Sequence, residues 1–146
     1  MSDYHLNRFM DAQQRDYAIA LAEVKQGRKR SHWMWYIFPQ IKGLGYSEMA
    51  KRYAIGDLHE AEEFLKHPVL GERLITICKE LLKLQSDDAG KIFGSPDDIK
   101  LRSSMTLFAS VPGAPEVFQS VLQKFFGGKL DELTLQRVGK PGSQPA

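Results

Sequence analysis

Apolar residues recur at three- and four-residue steps along almost the whole chain, and most of these stretches carry a helix start or stop signal at their ends. That is the helical period, so a core must be assembled from amphipathic helices. The most regular stripe, Leu70, Leu74, Ile77, Cys78, Leu81 and Leu82, follows Pro68, a residue suited to a helix's first turn. Leu6, Phe9, Met10, Tyr17, Ala20, Leu21 and Val24 line one side of a longer helix that Gly27 can close. Ser47 and Asp57 are placed to cap short helices, the first carrying Met49 and Tyr53, the second Ala61, Phe64 and Leu65. Ser86 is placed to cap another, ending at Phe93 and Gly94. Ser95, Pro96 and Asp98 then supply cap, first-turn proline and N3 acid for a helix reaching about Ser110. Phe118, Val121, Leu122, Phe125 and Phe126 mark a helix stopped by Gly127 and Gly128, and Asp131 caps a last one through Val138.

Outside one ambiguous stretch, no segment alternates in the strand manner, and no period of roughly 20 to 50 residues repeats. The expected fold is all-α: a compact single-domain bundle of about seven or eight short-to-medium helices over residues 1–138, followed by a polar, disordered tail over 139–146. A chain of 146 residues can bury about two thirds of its unfolded surface in one core. Hydrophobic residues at 42% and charged residues at 26% exclude a disordered or low-complexity chain. No apolar run approaches the roughly 20 residues of a membrane span, and the opening residues lack the basic and then apolar order of a signal peptide. A cytoplasmic protein with no membrane partner is expected. Cys78 is the only cysteine, so neither an internal disulfide nor a cysteine-rich zinc site is available, and its place on an apolar stripe suits an inert core thiol.

A net charge of +2 points to no particular partner, yet the charge is uneven. Between Glu23 and Glu48 there is no carboxylate, while Lys25, Arg28, Lys29, Arg30 and Lys42 all fall in the gap. A second acid-free stretch, Ile99 to Pro115, holds Lys100 and Arg102 with Ser103, Ser104 and Thr106. Directly after Arg28, Lys29 and Arg30 come Ser31, His32, Trp33, Met34, Trp35, Tyr36, Ile37, Phe38, Pro39 and Gln40, a run that contains both tryptophans. As a short helix it would be capped by Ser31 and ended by Pro39. The free N–H groups of its first turn would then face the three cations and form an anion site. Extended, it would put Trp33, Trp35 and Ile37 on one face and His32, Met34, Tyr36 and Phe38 on the other. The bracketing cap and stop favour the helix.

The ordinary explanation of an aromatic run is core packing, which suits Trp33, Ile37 and Phe38, and that of a basic triplet is solvated surface. Their adjacency points further, to an edge that binds a phosphate or carboxylate attached to a planar group. Arg28, Lys29 and Arg30 would attract the anion, Ser31 would offer N–H donors, and Trp33 or Trp35 would supply a stacking face. Gln40, Lys100, Ser103 and Ser104 would complete the wall. His32 is the candidate general acid or base, and Lys100, one turn from a serine, is a second catalytic candidate, although with Asp97 it also makes a routine exposed ion pair. His59, Glu62 and Glu63 lack further ligands for a metal, and Gly43-Leu44-Gly45 has no preceding strand, which marks a turn and not a nucleotide fingerprint. No metal and no cofactor are expected. A nucleic-acid module using the same cations and aromatics, and a protein-interaction domain with the aromatic run as anchor, are the alternatives.

The order GRKRSHWMWYIFPQ, then GLGYSEMAKRYAI, KLRSSMTLF and DELTL, resembles a bacterial family known as domain of unknown function 1810, sometimes labelled calpastatin, from about Asp3 to Val138. The resemblance implies a compact all-α monomer and carries over no reaction, cofactor or catalytic residue. The calpastatin label conflicts with the residues, because inhibitors of that name resemble disordered, repeat-bearing chains, whereas capped apolar stripes belong to a folded domain.

Overall fold

In a computed structural model, residues 5–139 are described and form nine helices. These are α1 (Asn7–Lys25), α2 (Met34–Ile37), α3 (Glu48–Arg52), α4 (Leu58–Lys66), α5 (Leu70–Lys83), α6 (Ala89–Phe93), α7 (Asp97–Ala109), α8 (Val117–Phe126) and α9 (Glu132–Val138). The all-α expectation holds, with one or two more helices than the periodicity resolves. Among the described residues the extended pairing is a single parallel bridge between Ile41 and Ile55. The reading of 139–146 as a disordered tail falls, beyond Gly139, outside the described residues. No helix among them is long and apolar enough to cross a membrane.

Several caps lie where the sequence places them. The side chains of Ser47, Asp57 and Asp131 accept hydrogen bonds from the backbone N–H groups of Ala50, Glu60 and Thr134, each satisfying a donor the helix leaves open. Gly127 ends α8 in the left-handed conformation, φ 62°. Two starts differ. Asp88, not Ser86, caps α6, while α5 begins at Leu70 because the Nδ1 of His67 takes the first-turn N–H groups of Val69 and Leu70.

α7 departs most from its sequence pattern. An exposed polar side carrying Ser103 and Ser104 is expected, yet both serines, Thr106 and Leu107 are buried along with Leu101, Met105 and Phe108. The helix is central, packing against α8, α9, α6 and α4. Two of its buried hydroxyls turn back on the helix, Ser103 donating to the carbonyl of Ile99 and Thr106 to that of Arg102, while the Ser104 hydroxyl has no hydrogen-bond partner among the described residues. α1 and α5 pack together, α5 also meets α8 and α4, and an aromatic chain from Phe9 through Phe64 and Phe108 to Phe118 threads this interior at 5.2 to 5.8 Å between ring centres. Cys78 lies in the same core, and burial pushes its thiol well above the ordinary range.

Candidate functional site

The basic and aromatic segment does not form the capped helix that the sequence suggests. After Gly27, at φ 80°, the chain curls back across the end of α1, and only Met34–Ile37 is helical, with Trp33 and not Ser31 at its start. The reason is Glu23, a buried acid on α1. One oxygen of its carboxylate accepts from the backbone N–H of Arg30 (2.8 Å), the N–H of Ser31 (3.0 Å) and the indole N–H of Trp33 (2.9 Å), and the other from the Ser31 hydroxyl (2.6 Å). Burial alone would raise its pKa, but the bonds from Ser31, Arg30 and Trp33 outweigh it and hold the group at about 2. The donors expected to greet an external anion therefore already hold an internal one.

Lys29 is also committed. Its ammonium lies 2.9 Å from Asp97, donates to the Ser31 carbonyl at 2.6 Å and sits 5.1 Å from the Trp33 ring, with the side chain only 7% exposed. Trp33 is buried against Phe38 and Phe93, so it offers no stacking face to solvent. Ser104 is enclosed, while Arg28, Arg30 and His32 are exposed.

The second half of the segment behaves differently. Gln13 on α1 donates to the Tyr36 carbonyl (2.8 Å) and the Tyr36 hydroxyl donates to Asp16, fixing α2 so that the neighbouring Trp35 stays partly exposed. The ammonium of Lys100 on α7 lies 5.3 Å from the Trp35 ring and 3.5 Å from Asp97, so the expected ion pair and a cation–π contact share one lysine. Trp35 and Gln40 line a hollow of about 540 Å³ between residues 40–46 and α3. An adjoining hollow of about 380 Å³ shares Gln40, Gly45, Tyr46 and Ala50 with it and has Lys100 and Ser103 in its wall. Of the residues singled out from the sequence, Trp35, Gln40, Lys100 and Ser103 thus converge on one cleft. Arg28, Lys29, Arg30, Ser31, His32, Trp33 and Ser104 are not part of its lining.

The charges in the cleft do not cancel. Glu60, in the larger hollow, is held 3.0 Å from Arg8, and Asp131, in the smaller, lies 3.5 Å from Arg102. Lys42 and Lys51, both lining the larger hollow, make no ion pair among the described residues. Its remaining wall is mainly apolar, with Ile41, Ala50, Tyr53 and Ala54. Arg8 orders this wall from beneath, donating to the carbonyls of Arg52 (2.8 Å) and Ala54 (2.7 Å), while Glu60 accepts the Gly56 N–H at 2.7 Å. Lys42, Tyr46, Lys51 and Tyr53 were not foreseen as site residues. Lys42 and Tyr46 stand in the aperiodic stretch around Gly43-Leu44-Gly45, whose signals are the lysine in the acid-free gap and an aromatic without a helical place, while Lys51 and Tyr53 lie on and at the end of α3, where the helix capped by Ser47 already accounts for them.

A family model described as protein of unknown function (DUF1810) matches residues 3–138, nearly the whole chain. The chain belongs to this family. A comparison with curated proteins finds no match. Among solved structures, the crystal structure at 1.38 Å of the conserved hypothetical protein Rv1873 from Mycobacterium tuberculosis is similar, with 42% sequence identity over 96% of this chain and 100% of that one, and a TM-score of 0.93. The two chains therefore share one overall fold, and neither comparison assigns an activity.

Proposed function

We propose that this DUF1810 protein binds a small anionic molecule of phosphate- or nucleotide-like type in the cleft between residues 40–56 and α7. The observation that carries the reading is the meeting of two stretches far apart in the chain, Trp35 and Gln40 from one and Lys100 and Ser103 from the other, around adjoining hollows. The larger is of a size usual for small-molecule sites, roughly 300 to 1,000 Å³, and combines apolar walls with a few polar groups in the usual proportion. Exposed Arg28 and Arg30 lie outside the lining, and no part in holding the ligand falls to them. His32 has no role in the cleft, and Ser103 turns its hydroxyl to Ile99, so the reading is one of binding, with no reaction step assigned. Use of the same segment as a nucleic-acid platform is less favoured, because Lys29 is consumed by Asp97 and Trp33 is enclosed.

Tryptophan emission tests the proposal, since Trp33 is sealed and Trp35 faces the cleft. Titration with nucleoside monophosphates and inorganic phosphate should give a saturable change that disappears in Trp35→Phe and persists in Trp33→Phe. No response to any of these at millimolar concentration would overturn it.

A further inference from the structure

The last helix brings a cation to the edge of this cleft, outside its lining but against one of its lining residues, that neither its sequence position nor its cap suggests. Gly43, which lines the larger hollow, has φ 99°, and a Cβ built there would lie 2.6 Å from the Cζ of Arg137 and 2.9 Å from one of its terminal nitrogens. The guanidinium is thus laid flat on the peptide of the cleft's own loop, in a space that exists because residue 43 has no side chain. Arg137 reaches this place because α9 is firmly seated. Asp131 caps it, receives Arg102 at 3.5 Å and donates its backbone N–H to Thr106 on α7 at 3.0 Å.

Arg137 makes no ion pair among the described residues, whereas Arg8, Arg15 and Arg102 each have a carboxylate partner. Lys42 and Lys51 line the larger hollow and Arg137 stands at its edge against Gly43, so three cations without a carboxylate partner among the described residues gather there. The smaller hollow differs: its lysine, Lys100, is paired with Asp97, while Tyr46, Ile99 and Leu133 stand 84%, 54% and 59% exposed in its wall. Three of the four large apolar side chains exposed to solvent among the described residues therefore border one hollow, while Lys42 and Lys51 border the other, with Arg137 at its edge.

We infer that the ligand is an anion carried on a planar apolar body, and that Arg137, laid across Gly43 at the edge of the larger hollow and acting with Lys42 and Lys51 in its wall, holds the anionic end while the body extends over Trp35 towards the apolar rim. This inference rests on the small-molecule reading above and adds the ligand's polarity and the residue that recognises it. A planar guanidinium with paired N–H donors suits a phosphate or carboxylate better than a lysine does.

Calorimetric titration with AMP, adenosine and inorganic phosphate tests both statements. AMP should bind more tightly than adenosine or phosphate alone, because only AMP engages both ends of the cleft. Arg137→Ala should weaken AMP about tenfold or more and leave adenosine within twofold, with Arg137→Lys recovering only part of the loss. An Arg28→Ala/Arg30→Ala double variant should leave AMP affinity within about twofold. A structural role for Arg137 would instead weaken AMP and adenosine equally and lower the unfolding midpoint. AMP binding indifferent to Arg137→Ala, or equal losses for AMP and adenosine, overturns the inference and leaves the small-molecule reading standing. Absence of binding by all three probes overturns both.

Discussion

Replacing Glu23 by glutamine leaves the shape of its side chain almost unchanged and removes the charge around which residues 30–33 are folded. The carboxylate has an ordinary pKa of 4.5 and stands at about 2 in the folded protein. A folded-state value below the unfolded one means that the unfolded chain takes up the proton first. The contribution is therefore complete above about pH 4.5 and is lost as the pH falls towards 2. At about 1.36 kcal/mol per pH unit the full depression amounts to about 3 kcal/mol, and solvent screening at the edge of the site brings it to about 2 kcal/mol. Glutamine keeps one oxygen for the N–H groups of Arg30, Ser31 and Trp33, so the change removes charge assistance without orphaning those donors. Urea unfolding of both proteins should show Glu23→Gln less stable by about 2 kcal/mol at pH 7, with the gap narrowing to about 1 kcal/mol at pH 3. Taking the difference cancels the other carboxylates, which titrate alike in the two proteins. A gap under about 0.5 kcal/mol at pH 7, or one that stays constant down to pH 3, would refute the assignment of Glu23 as the internal anion of this segment.

Arg8→Ala removes both carbonyl bonds to residues 52–54 and leaves the Glu60 carboxylate, with a side chain only 6% exposed, without its cation. It should cost about 2 to 4 kcal/mol in urea unfolding and, in protein that remains folded, weaken AMP through a disordered cleft wall. Gly71→Ala would place a Cβ 2.0 Å from the Leu65 carbonyl oxygen where α4 and α5 meet. Because backbone and not a flexible side chain must yield, the loss should reach about 3 kcal/mol, and a thermal midpoint within 2 °C of the parent would disprove the close approach.

How much was legible depended on how far apart along the chain the interacting groups lie. Ser47, Asp57 and Asp131 cap their helices within three residues, and the α5 stripe repeats within a turn, so local pattern was enough to place them. α7 misled because serine and threonine are scored as polar, while in a helix each can satisfy its hydroxyl on the carbonyl one turn back and enter the core. The cleft was half visible. Trp35, Gln40, Lys100 and Ser103 were singled out as chemically unusual, but the loop between Ile41 and Ser47 has no period, and Arg137 meets Gly43 only once α9 has docked on α7.

The basic segment shows why a charge map drawn along the chain can point to a binding site that folding has already filled. Glu23 served there as the boundary of an acid-free gap, and Asp97 lay almost seventy residues away; in space they are the anions of that gap, one gathering the N–H groups of residues 30–33 and the other neutralising Lys29. A run of cations and exposed donors is unstable as a buried structure unless an anion accompanies it, and the chain supplies its own. The cations that can answer to an external ligand are those whose acids are spent elsewhere: Glu60 on Arg8, Asp131 on Arg102 and Asp97 on Lys29 and Lys100. What remains uncancelled is Lys42 and Lys51 in the wall of the cleft and Arg137 at its edge. Their excess is a property of the folded pairing pattern and not of any sequence window, which is why a chain of net charge +2 can still present a locally cationic hollow.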